Sequence, residues 1–226
     1  MRTPLKRRAA LSGLIALAAI CAAPLSRADT GKVVPAATVF PYLEAFLKIP
    51  AAERARLKVS YSLRRDDKPP VGVKAALVET GGARTPLSID SATGRFERLP
   101  TLTQLQAKVQ VAFEAPPSAK FGIVMDLDPA LKPAMDYETR ELIATVTESN
   151  AAIRKAAGAM AMMAPTMTGI AFAKAETGAV VFPNGSTQPL PVIEGMPYYR
   201  PEQFKGAIKV RLGKMPASVG FYDKKK

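Results

Sequence analysis

Across residues 57–128 the chain alternates apolar and polar positions with a period of two. In LKVSYSL, Leu57, Val59, Tyr61 and Leu63 fall on one face, the signature of a strand that buries one side. VGVKAALVE follows after RDDKPP, and TPLSID after ETGGAR. GRFERLP follows SATG, and QAKVQVAFE places Ala107, Val109, Val111 and Phe113 on a common face. AKFGIVMDLD comes after Pro116-Pro117. Six short strands with Gly- and Pro-rich punctuation predict an antiparallel β-sandwich, Ig-like or transthyretin-like, over residues 57–128. The paired cysteines around a tryptophan that mark true Ig domains are absent, which leaves the subclass open.

The flanks carry a different period. In VFPYLEAFLKIPAAERARLK, Phe40, Leu43, Phe46 and Leu47 recur at helical spacing until Pro50 interrupts. Residues 29–56 therefore read as a linker and a short amphipathic helix covering a sheet. After ALKPAMD, the segment YETRELIATVTESNAAIRKAAGAMAMMA predicts a long helix capped by Asp136. Its apolar stripe is Leu142, Val146, Ile153, Ala157 and Met160, and Glu138 and Glu141 stand in the first turn, where the helix dipole favours negative charge. Pro165 cannot continue it.

Beyond the helix, TGIAFAKAE, AVVF, GAIKVRLGK and SVGFYD read as strands. Asn184-Gly185 marks a tight turn and GMPYYRPEQFKG an aromatic-bearing loop. Residues 129–226 thus form an α+β unit, one long helix on a small antiparallel sheet with a basic C-terminal tail. The expected class is mainly β with an α+β second half.

The first 28 residues change the compartment. Arg2, Lys6, Arg7 and Arg8 precede an apolar run that ends near Pro24, and Ser26-Arg27-Ala28 satisfies the small-residue cleavage rule. This is the pattern of a signal peptide cleaved after Ala28 and of a periplasmic protein in a Gram-negative cell, with Sec and twin-arginine export both open. Cys21 follows Ile20, where lipoprotein processing wants a small residue. No later apolar run approaches the roughly 20 residues a spanning helix needs, so a soluble mature chain without a transmembrane span is expected. Removing five basic residues lowers the formal charge from +13 to +8. That excess favours anionic partners. Its scatter, without a basic stripe or helix, points away from nucleic acid.

Residue types excluded matter as much. The mature chain has no histidine, cysteine or tryptophan. Serine and cysteine nucleophiles activated by imidazole, thiolate metal sites and disulfides all fall away, and zinc loses its usual ligands. No G-x-S-x-G, S-x-x-K or phosphate-cradling glycine loop occurs.

Three constellations remain. Asp126 and Asp128 in VMDLDP share a strand face, as half of a calcium site, as an acid pair for glycan hydrolysis, or as a solvated strand end. Met160, Met163 and Met167 follow i, i+3, i+7 spacing, which either extends a buried stripe or offers three soft thioethers to Cu(I). Tyr198, Tyr199, Arg200 and Phe204 are the residue types of a recognition patch and also of a loop covering a sheet end. The helix stripe Leu142, Val146, Ile153 and Met160 is a further candidate, for self-association. The reading these features favour is a non-catalytic envelope protein, without a cofactor, that binds an envelope protein or an anionic envelope component. The rivals are a carrier of Cu(I) or an apolar molecule beside the methionines, and a carboxylate-based glycan hydrolase.

Overall fold

In the computed structural model of the chain, residues 32–115 and 119–222 are described. The expected leader and the terminal lysines lie outside them. The chain begins with strand β1 (Lys32–Pro35), helices α1 (Ala36–Val39) and α2 (Leu43–Lys48), and a 3-10 turn at Ala51–Arg54. Strands β2 (Leu57–Arg64), β3 (Lys74–Val78) and β4 (Arg84–Leu87) follow, then helix α3 (Leu102–Gln106) and strands β5 (Gln110–Glu114) and β6 (Gly122–Pro129). They assemble into a sheet ordered β1-β5-β3-β4 and a two-stranded ribbon β2-β6, with every pairing antiparallel.

The alternation in LKVSYSL is matched across the ribbon. Leu57, Val59, Tyr61 and Leu63 pair with Pro129, Leu127, Met125 and Ile123, so the two strands present one continuous apolar face. Cross-strand apolar pairs of this kind hold register, since a one-residue slip would turn the whole face to solvent.

Three expectations for this half need correction. Residues 32–35, read as linker, form β1, the edge strand beside β5. GRFERLP makes only isolated bridges, Arg95 to Ser62 and Phe96 to Ile89. Before β5 comes the unpredicted α3, opened by a reciprocal capping box between Thr101 and Gln104, a signature that was present in TLTQ. Ala107 is consequently the exposed C-cap of α3. The buried run begins at Val109.

The second half opens with β7 (Asp136–Glu138) and the 19-residue helix α4 (Thr139–Ala157), followed by a 3-10 helix at Gly158–Met163. Strands β8 (Gly169–Ala173), β9 (Gly178–Val181), β10 (Thr187–Pro189), β11 (Val192–Ile193), β12 (Met196–Tyr199), β13 (Lys209–Leu212) and β14 (Ser218–Tyr222) complete it. They form two antiparallel sheets, β10-β9-β13-β7 and β11-β12-β8-β14. Asn184-Gly185 makes the β9-β10 turn, with Gly185 at φ +82° and Asn184 Oδ1 accepting from the Ser186 N–H.

Asp136 does not cap α4. It lies in β7 opposite Arg211, whose Nε is 3.1 Å from its carboxylate, and Glu138 holds the cap position without a side-chain cap bond. The first turn is tied down instead by Thr139, whose N–H and hydroxyl donate to the Ile208 and Ala207 carbonyls at 3.0 and 2.6 Å.

Two hydrophobic clusters result. In the first, Phe40 meets Tyr61 and Phe96 edge-on at 5.2 and 5.1 Å between ring centroids. The second gathers Tyr137, Ile170, Phe172, Tyr199 and Val210 from both later sheets. The helix α4 serves both: Leu142 and Val146 enter the second cluster, Ala152 and Ile153 the first. It therefore joins the two halves, going beyond the expected cover over its own sheet. Phe221 of β14, which runs beside β6, also packs against both.

Candidate functional site

The apolar face of the β2-β6 ribbon is only partly covered. Leu57, Val59 and Tyr61 of β2 and Met125 and Leu127 of β6 form one wall of a pocket of about 260 Å³. The C-terminal turns of α4 form the opposite wall. There Ile153 reaches the ribbon, but the next inward positions are Ala156 and Ala157, whose methyl groups leave the gap unfilled. Tyr42 and Phe46 of the α2 region also line the pocket, with Tyr42 exposed at the rim.

The rest of the rim is set by a change of helix type. Gly158, at φ +53°, terminates α4, and the chain continues as a 3-10 helix. With about 3.0 residues per turn, side chains at i and i+3 eclipse. Met160 and Met163 accordingly both line the pocket mouth, whereas the intervening Met162 is wholly exposed. Ala164 and Pro165 then redirect the chain. Met167 turns back into the first cluster, held by Asn150, whose Nδ2 donates to its carbonyl and whose Oδ1 accepts from its N–H, both at 2.9 Å.

Among the described residues, none that lines this pocket is charged. The Tyr61 hydroxyl is engaged, donating to the Pro41 carbonyl at 2.5 Å, and burial pushes its phenol well above the ordinary value. Arg54 stands over the Phe46 ring at 5.2 Å and gives its Nε to the Ile49 carbonyl, and Lys155 pairs with Glu53. These neighbouring cations are tied to protein groups. The pocket is an apolar slot with tyrosine as its polar component, the character typical of small-ligand sites.

The methionine constellation is thus split: Met160 and Met163 meet at the mouth, and Met167 is in the core and does not line the pocket. Among the described residues, no group of three or more His, Cys, Asp or Glu side chains could hold a metal ion. Asp126 and Asp128 do share the outer face of β6, opposite Ser60 and Lys58. The Arg95 guanidinium lies 3.9 and 3.5 Å from them, so the acid pair is countered by a cation. Nearby, the Thr93 hydroxyl and N–H donate to Asp90 at 2.6 and 2.7 Å and hold its carboxyl below the ordinary range.

The segment expected as an aromatic loop is strand at Tyr198 and Tyr199, which belong to β12 and pair with β8, and its residues divide in the same way. Tyr199 and Phe204 are buried in the second cluster, their rings stacked 5.9 Å apart. Tyr198 is half-buried and stacks on Tyr222 at 4.2 Å. Arg200 keeps its guanidinium 3.6 Å from Glu202, while its buried Nε has no hydrogen-bond partner among the described residues. Half of the expected patch is therefore core. Of the helix stripe proposed for self-association, Leu142, Val146 and Ile153 are buried within the chain, which removes them as a surface; Met160 alone is exposed.

The ribbon wall was legible as an apolar strand face, but nothing in the pattern said it would be left partly uncovered. Ala156 and Ala157 are no signal by themselves, since Ala152 one turn upstream is as small and is fully packed. Comparison of the chain with protein-family models, with curated proteins and with solved structures returns no match.

Proposed function

We propose that this is an exported, non-catalytic binding protein that holds an apolar group of an envelope component in the slot between the β2-β6 ribbon and the end of α4. The observation that carries this reading is the uncharged lining of a cavity of about 260 Å³ whose mouth is rimmed by exposed Met160, Met163 and Tyr42. Flexible, polarisable thioethers adapt to apolar partners of variable shape. An opening of this kind suits a linear or flat apolar group better than a charged one, since a charge placed there would find no counter-ion.

A fluorescent fatty acid titrated into the purified protein tests the idea. Saturable binding is expected, together with an apolar molecule recovered by mass spectrometry from protein isolated out of the envelope. Ala157→Phe, which extends a ring into the slot, should abolish probe binding with the fold retained by circular dichroism. Absence of saturable binding by the unaltered protein would exclude the slot as an acyl site.

A further inference from the structure

The methionines of this chain differ in access in a way that bears on the slot. Met162 is 100% exposed, Met163 78% and Met160 48%, against 8% for Met167. Met215 and Met135 are also exposed but line no part of the pocket. Thioether oxidation follows access, and it turns a flexible apolar side chain into a polar one. On the reading that the slot binds apolar groups, we propose that Met160 and Met163 form a modification site at which oxidants of the peroxide class convert both thioethers to sulfoxides and close the mouth to apolar ligands.

The chemistry balances without a metal or cofactor. A sulfur lone pair attacks one oxygen of hydrogen peroxide, the S–O bond forms as the O–O bond breaks, and after proton transfer the second oxygen leaves as water. Sulfur is oxidised by one electron pair and peroxide is reduced by it. The 3-10 geometry matters because it turns both i and i+3 sulfurs toward the same opening.

The consequence follows from what lines the mouth. A sulfoxide oxygen is a strong acceptor, yet among the described residues the lining side chains offer only the Tyr42 and Tyr61 hydroxyls, and Tyr61 already donates to Pro41. The single free donor, Tyr42, can serve one of the two sulfoxide oxygens at most, so the other stays hydrated, and an apolar group entering the slot has to strip that water without replacing its hydrogen bonds. Met162, outside the slot, is converted most readily but without effect on binding. Sulfoxide reduction restores the thioether, so the change is reversible.

The test uses the purified protein, graded hydrogen peroxide, residue-resolved peptide mass spectrometry and the fluorescent fatty acid. Sulfoxide should appear at Met162 and Met163 first, then at Met160 and Met215, with Met167 last. Probe affinity should fall about ten-fold or more in step with Met160 and Met163, not with Met162, and recover with methionine sulfoxide reductase. Met160→Leu combined with Met163→Leu, compared before and after peroxide against its own untreated affinity, should show no loss, whereas Met215→Leu should lose affinity as the unaltered protein does. Unchanged probe binding with both rim methionines oxidised overturns the inference and leaves the slot reading intact. An untreated protein that fails to bind the probe overturns both. A peroxide-dependent loss that persists in the double variant assigns the effect elsewhere and overturns the inference alone.

Discussion

The two ends of α4 meet the rest of the molecule differently. Around Leu142 the packing is closed: Leu142, Ile170, Phe172, Val180, Tyr199 and Val210 are each 0% exposed. Eleven residues further on, Ile153 faces the β2-β6 ribbon across a slot that Ala156 and Ala157 fail to fill. One helix thus contributes tight packing at its first half and an opening at its second. The sequence difference that produces this is small, namely alanines in the last turn followed by a glycine that changes the helix type.

Truncation should expose the contrast most strongly. Leu142→Ala removes a side chain surrounded on all sides and is expected to cost about 4 kcal/mol, toward the upper end for buried leucine. Ile153→Ala, beside existing empty space, forfeits fewer contacts and should cost about 2 kcal/mol. Urea unfolding of both variants checks the pair. Equal losses would mean that the slot is collapsed in solution.

Enlargement should show the reverse asymmetry. Ala152 is 1% exposed in the first cluster, so Ala152→Leu forces overlap and should destabilise by about 1–3 kcal/mol. Ala157→Leu grows into the slot and should shift stability by less than about 1 kcal/mol. Thermal melts of the two variants, two turns of helix apart or less, decide whether the opening is real space. A large cost at Ala157 would close it.

How far each region could be read from the chain depends on what determined it. Alternation made β2 and β6 legible because burial of one strand face is a period-two property, and the apolar positions Leu57, Val59, Tyr61 and Leu63 follow it, although Ser62 on the other face is buried as well. The Asn184-Gly185 turn was legible because it rests on local backbone preference. By contrast, β1 was missed: KVVP has no alternation to detect, and it becomes a strand by pairing with β5, far along the chain. GRFERLP carried turn and strand signals and does hydrogen-bond to the backbone of Tyr61, Leu63, Ser88 and Asp90, yet its pairing stops at isolated bridges to Ser62 and Ile89. The i, i+3, i+7 spacing treated Met160, Met163 and Met167 as one stripe or one thioether set, whereas the α-helical register ends at Gly158, Met160 and Met163 line the pocket from a 3-10 helix and Met167 lies in the core. The slot depends on what does not fill a gap between distant segments, and no local pattern encodes that.

Alkaline titration distinguishes the regions more gently. Tyr61 in the slot wall and Tyr199 and Tyr137 in the second cluster all have phenols raised above 10.0 by burial. As pH rises past that value the unfolded chain loses these protons first. The stability due to burying neutral tyrosine is thus fully present below about pH 10 and is lost as pH climbs toward the folded values, at about 1.4 kcal/mol per pH unit for each such group. Tyr61→Phe should cost about 1 kcal/mol at neutral pH, because it leaves the Pro41 carbonyl without its donor. It should also make the alkaline loss shallower. Melting temperatures from pH 8 to about 12 give both quantities, and an unchanged alkaline slope would place the Tyr61 phenol in contact with solvent.

The smallest effect belongs to the outer face of the same ribbon. Asp126, Asp128 and Arg95 are 38%, 38% and 48% exposed at their side chains, and their separations of 3.9 and 3.5 Å are long for charge-assisted bonds. Exposed pairs of this geometry are screened by water and contribute about 0–1 kcal/mol. Asp126→Asn combined with Asp128→Asn should therefore shift urea stability by less than about 1 kcal/mol, and less again in molar salt. The fatty-acid affinity should stay the same, because β-strand alternation puts these side chains on the face opposite Met125 and Leu127. A double variant that folds normally but loses the probe would show that the two faces of β6 are coupled, and would move the binding surface from the slot to the charged side.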